Sequence, residues 1–191
     1  MFIQRLKDLA KRFRMDTCGV IVVETVIALP MLFWATAATY EFHEIHRYKS
    51  AREKATYTIA DMISREEWAI TPNYLDRTFQ VFNDMANDSG DNQIRVTVIE
   101  YDGDNEEYLV SWSHTRGTGT MEDLTTEDLA EQPERLPILT NGQQMILVEA
   151  YSLYTPSFKV GLSDTFDMET SIFTAPRFVP KVDYKLQLDH T

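Results

Sequence analysis

Five places in this 191-residue chain hold residues whose types and spacing could do chemistry. The run His43-Glu44-Ile45-His46 offers two imidazoles and a carboxylate. A helical zinc site needs histidines four apart on one helix face, and these are three apart, so the run reads as a solvated helix surface. Asp102 to Glu107, DGDNEE, faintly suggests a calcium loop. An EF-hand requires Gly at its sixth position and Glu at its twelfth; here stand Glu107 and Ser113, which favours a hairpin turn. Cys18 is the only cysteine; it has no histidine for company and leaves no internal disulfide to be made. Gly117 and Gly119 frame no strand-to-helix junction and so no phosphate cradle. The expectations are a protein that is not an enzyme, with no metal and no cofactor.

The fifth place is Glu24, and it is of another kind. From Val20 to Tyr40 the chain runs through 21 residues of which 16 are apolar, three are Thr, one is Pro and one is Glu24. At about 1.5 Å per residue the run makes roughly 31 Å of helix, which matches the roughly 30 Å of a bilayer's hydrocarbon. An ionisable group inside such a span costs on the order of 2.5 to 3.5 kcal/mol and by default marks function with a partner to be found. Pro30, near mid-span, removes one helical hydrogen bond and is expected to kink the helix, which a membrane helix tolerates when neighbours or nearby Thr side chains re-satisfy the freed carbonyl.

Charge orients the span. Residues 1 to 19 carry Arg5, Lys7, Lys11, Arg12 and Arg14 against Asp8 and Asp16, a local balance of +3 in a chain whose total is -12. The remainder therefore carries 15 excess negative charges. The positive-inside rule then puts residues 1–19 in the cytoplasm and the acidic body outside. A body this acidic, in a chain of pI ≈ 4.7, offers no basic face for a phosphate backbone, so no nucleic acid is expected as partner. An ordinary secretory signal would also begin with cations and an apolar run, and Ala35, Ala37 and Ala38 provide small residues for its cleavage. An uncleaved anchor whose Glu24 snorkels to the cytoplasmic headgroups is a further reading.

The elements that must position these residues follow from periodicity. No Gly or Pro interrupts residues 31 to 71, so one long helix is expected to run out of the membrane. In its far half Phe42, Ile45, Ala51, Ala55, Ile59, Met62 and Ile63 form an apolar stripe, with Arg47, Lys49, Arg52, Glu53 and Lys54 opposite. TPNYLDRTFQVFNDM reads as a second helix with Thr71 as cap and Pro72 first, burying Leu75, Phe79, Phe82 and Met85. The period then changes to two. QIRVTVIEY and EYLVSWSH make a hairpin, and residues 143–155 and 166–179 a second strand pair. Between the pairs lies a loop, 116–142, with a short helix over TTEDLAEQ. Most aromatics of this region, among them Tyr101, Tyr108, Trp112, Tyr151, Tyr154, Phe158 and Phe178, are expected in the core or in cross-strand pairs. The fold class is α+β: a long N-terminal transmembrane helix, a second helix and a roughly four-stranded antiparallel sheet.

The start GVIVVETVIALPMLFW, with Glu24 at the fifth place after Gly19 and the Leu29-Pro30 pair beyond, resembles the class III signal of type IV prepilins. More narrowly it is similar to the TadE/TadF/TadG minor pseudopilins of the tight-adherence (Flp) pilus system. Thr25 stands where an aromatic often follows the glutamate, and Cys18 precedes the glycine. The resemblance implies that a prepilin peptidase cuts between Gly19 and Val20 on the cytoplasmic side, leaving the apolar helix on the mature chain. It also implies three segments: a basic cytoplasmic leader (1–19), a transmembrane helix (20–40) and a periplasmic head (41–191). The partners implied are the peptidase, other Flp/Tad pilins and minor pseudopilins, and inner-membrane lipid; the location is the inner membrane, single-pass. The cut would create a new amine at Val20, with an ordinary pKa near 7.7 to 8.0, for which Glu24 supplies the counter-charge. A proline at the depth of Pro30 would then mark where the helix can loosen on leaving the bilayer. The competing function is a single-span membrane-anchored periplasmic enzyme or ligand-binding domain.

Overall fold

The computed structural model describes residues 2–15, 17–86, 91–131, 136–159, 161 and 163–186, with side chains from 21 onward and at 4, 5 and 7–12. In chain order the elements are α1 (Phe2–Met15), α2 (Thr17–Ser64), α3 (Pro72–Ala86), β1 (Asn92–Asp102), β2 (Glu107–Gly117), α4 (Thr126–Ala130), β3 (Gln144–Tyr154) and β4 (Phe166–Thr174). The architecture is α+β, as the periodicity predicts. By internal contacts the chain divides into two units, Met1–Glu44 with Pro156–Ser163, and Ile45–Thr155 with Asp164–Thr191.

The second unit is a sheet covered on both faces. Its strands lie in the order β2-β1-β3-β4, all antiparallel, so the two expected pairs join through β1 and β3. Alternation puts Ile94, Val96 and Val98 of β1 beside Ile146, Val148 and Ala150 of β3 on one face. There they pack against Ala55, Ile59, Ala60 and Ile63 of α2 and Leu75 and Phe82 of α3. The opposite face carries Ile99 and Leu147, and the segment between β2 and β3 closes over them with Leu124, Leu129 and Leu136. Its short helix α4 starts in a capping box, Thr125 Oγ1 accepting from the Asp128 amide while the Asp128 carboxylate accepts from the Thr125 amide.

Local chemistry sets the ends. Thr71 Oγ1 accepts from the Tyr74 amide at 3.2 Å and Pro72 opens α3, as a cap followed by proline requires. The DGDNEE run is a hairpin turn: the Asp102 carboxylate takes the amides of Asp104 and Asn105 and the Asn105 side chain. Those bonds hold it below the usual carboxylate range, the Asn105 side chain contributing most. Gly117 ends β2 at φ 102, where a Cβ would collide with the Asn92 carbonyl. Past β4 the chain straps back over the second unit, Trp112 Nε1 donating to Val182 O at 2.8 Å and Lys181 pairing with Glu100 at 2.6 Å.

Four expectations are corrected. Arg52, assigned to the solvated face of α2, is buried at 2% exposure. Its guanidinium lies over the Tyr48 ring, 3.0 Å from the centroid, and reaches Asn92 Oδ1 at 3.4 Å. Asn92 also accepts from Ser152 Oγ and donates to Asn83 Oδ1, so one buried amide ties α2, α3, β1 and β3 together. Phe42, placed on the apolar stripe, is 62% exposed; the apolar residues of α2 that are buried in the core begin at Ala55. Met85 is 41% exposed and Ala86 takes the buried place, with Thr78 joining Leu75 and Phe82. β4 stops at Thr174, two residues before Pro176, instead of running to Val179.

Candidate functional site

The candidate site lies in the first unit, on the N-terminal half of α2. From Ile21 to Trp34 the large apolar residues Ile21, Val22, Val23, Val26, Ile27 and Leu29 through Trp34, save Pro30, are all exposed. Ile21, Val22 and Val23 are each a third of a turn apart, so the helix offers apolar surface around its whole circumference. Among the described residues none of this apolar window is buried. One helix of this chain is thus long and apolar enough to cross a membrane.

Glu24 stands exposed within that surface. Gly19 and Val20 belong to the opening turns of α2 as backbone; their side-chain surroundings lie outside the described residues. Along a continuous helix Glu24 follows Val20 by four residues, about one turn or 6 Å, on the same face. A group carried at the Val20 nitrogen and the Glu24 carboxylate are therefore neighbours along the axis. Pro30 sits inside α2, which continues through it. Of the two ways expected to satisfy the carbonyl freed by Pro30, that of Val26, the threonines of the span do not serve, which leaves the neighbouring helices. Each hydroxyl has one proton, and Thr25, Thr36 and Thr39 donate theirs to Ile21, Leu32 and Ala35 at 2.8 Å.

The sequence reading missed Glu41. It follows the apolar run directly and is fully buried. Its Oε1 accepts from the Ser157 amide at 3.2 Å and its Oε2 from the Phe158 amide at 3.1 Å. Beside it Tyr40 and Phe158 meet edge to face with centroids 5.9 Å apart. Phe158, expected among the sheet aromatics, is instead half-exposed in this first unit. The only sequence signal for the pair was a carboxylate bordering an apolar run; nothing in the spacing pointed to a loop 116 residues away.

Among the described residues of the second unit, a cavity of about 160 Å³ lies over the sheet between Leu124, Leu129, Leu136, Leu147 and Phe173. That is below the few hundred Å³ of ordinary small-molecule sites. Its cation is engaged within the wall: Arg95 pairs with Glu149 at 2.6 Å and donates to the Glu122 carbonyl at 2.8 Å. His43 and His46 are both exposed on α2. Among the described residues no three His, Cys, Asp or Glu side chains gather as a metal site would require. No protein-family model, no curated protein and no solved structure matches this chain.

Proposed function

We propose that the chain is a TadE/TadF-like minor pseudopilin: a single-pass inner-membrane protein, processed by a prepilin peptidase between Gly19 and Val20, that helps initiate or build a Flp-type pilus. The observation that carries this reading is a helix apolar on all sides that exposes one carboxylate, Glu24, a single turn beyond the Gly19-Val20 bond. A carboxylate facing lipid is costly without a cation, and an α-amine created at Val20 is a cation on the same face one turn away. The pair attracts far more strongly in low dielectric than in water. Glu24 can neutralise its own terminus or the terminus of a neighbouring subunit, and the second choice registers one subunit against the next. On this reading the protein is a structural component, and the bond cleavage at its key site is performed on it by another enzyme.

Intact mass and N-terminal sequencing of protein made with and without a prepilin peptidase test it. A mature chain beginning at Val20 only when the peptidase is present is expected, and Gly19 exchanged for a bulky residue abolishes it. A start after Ala37 or Ala38 sinks the proposal in favour of ordinary secretion. Glu24→Ala is expected to insert and be processed normally while reducing pilus assembly; full piliation in that variant refutes the pairing.

A further inference from the structure

The buried carboxylate of Glu41 fixes a piece of the β3–β4 connection to one level of α2. Reckoned from Val20, where the apolar run of the sequence opens, about 30 Å of hydrocarbon takes up roughly 20 residues of helix and ends near Tyr40. Tyr40 is thus level with the boundary between acyl chains and headgroups, where tyrosine and tryptophan rings favour residence. The next residue, Glu41, is fully buried, and a buried carboxylate is tolerated only where donors satisfy it. The Ser157 and Phe158 amides are such donors, at 3.2 and 3.1 Å. They hold the Phe158 ring against Tyr40, edge to face, at that same level.

What remains exposed there is aromatic. Phe158 is 50% exposed, Tyr40 52% and Phe42 62%. In water the exposed Tyr40–Phe158 pair, with Phe42 exposed two residues further along the helix, is unfavourable, whereas at the bilayer boundary such exposure is an asset. We infer that the stretch Pro156–Lys159 is a second membrane-contacting element, which seats Phe158 in the headgroup–acyl boundary of the bilayer beside Tyr40, with Glu41 as the clamp. The occupant is lipid, because continuity with the apolar helix puts this aromatic group at the bilayer surface whatever protein neighbours α2 has. The inference rests on the membrane crossing of α2 and is independent of processing at Gly19 or of any part in a pilus.

The test uses the full-length chain in phosphatidylcholine nanodiscs, with Cys18→Ser leaving single introduced cysteines for a nitroxide. Labels are placed at Phe158, at Leu32 inside the span, and at Ile138, which is 97% exposed in the second unit. Relaxation by oxygen, which partitions into lipid, is compared with relaxation by a water-soluble nickel chelate. The Phe158 label is expected to show an oxygen-to-nickel ratio several-fold above that at Ile138 and approaching that at Leu32. A ratio equal to the Ile138 value overturns the contact, and an aqueous ratio at Leu32 overturns the crossing on which it rests. Adding Glu41→Ala is expected to return the Phe158 label to the aqueous ratio with Leu32 unchanged; an unmoved Phe158 label overturns the clamp. Should the label disturb the loop, p-benzoylphenylalanine in place of Phe158 keeps the ring. Irradiation then gives a lipid adduct by mass, and an adduct to a second copy of the chain instead overturns the choice of lipid.

Discussion

Tyr74 carries a pH dependence that can be read from its surroundings. It lies in the first turn of α3 and packs against the main core, so burial is the first cause that pushes its hydroxyl up to about 12, and the carboxylate of Glu66 adds to the shift by its charge and a hydrogen bond. A group whose pKa is higher folded than unfolded stays protonated in the native state while the unfolded chain already gives up its proton. The stability tied to Tyr74 is therefore intact below about pH 10, the unfolded value, and is lost as pH rises to about 12. Urea melts of wild type and Tyr74→Phe between these limits check this: the wild type should lose stability the faster, and parallel curves would refute it. Tyr151 is raised as well, through its hydrogen bond to Asp167, but it is a surface group. The Tyr74→Phe difference isolates the buried one.

At the scale of elements, α3 separates what a repeating pattern can tell from what it cannot. Its cap, its proline start and the burial of Leu75 and Phe82 were all legible, because each depends on residues within one or two turns. Met85 was not: a stripe at steps of three and four leaves two neighbouring rows at its margin, and the packing of the sheet chose Ala86. Arg52 failed for the opposite reason. Its charge argued for water, yet a tyrosine ring on its own helix and an amide 40 residues away made a buried place for it, and such long-range partners leave no period in the sequence. The expected consequence on α3 is a sharp contrast. Phe82→Ala should cost about 3 to 5 kcal/mol, as buried aromatics do, while Met85→Ala should fall within about 0.5 kcal/mol of wild type. Chemical denaturation of both variants measures it; equal losses would mean that the burial assigned to this helix is wrong.

For the molecule as a whole, the strongest sequence signal was the segregation of charge and apolarity along the chain, and it reaches function through orientation. The helix α1 presents Arg5, Lys7, Lys11 and Arg12 exposed just ahead of the apolar span, while the excess negative charge lies beyond it. The proposed role needs that order held: a peptidase acting on the cytoplasmic side meets Gly19 only if the N-terminus stays there. Cationic residues close to a span are retained on the cytoplasmic face, and flanking acidic residues contribute little, so in the proposed role Arg5, Lys7, Lys11 and Arg12, exposed among the described residues of α1, would carry the orientation. Replacing Arg5, Lys7, Lys11 and Arg12 together by Gln leaves Arg14 against Asp8 and Asp16, and part of the population should insert reversed. In spheroplasts treated with protease, the wild-type head is expected to be digested, and a protected, full-length fraction should appear in the quadruple variant and escape processing at Gly19. Protection without loss of processing would separate orientation from cleavage. An unchanged digestion pattern would show that the translocation of the acidic body, and not the leader, decides which way this chain enters the membrane.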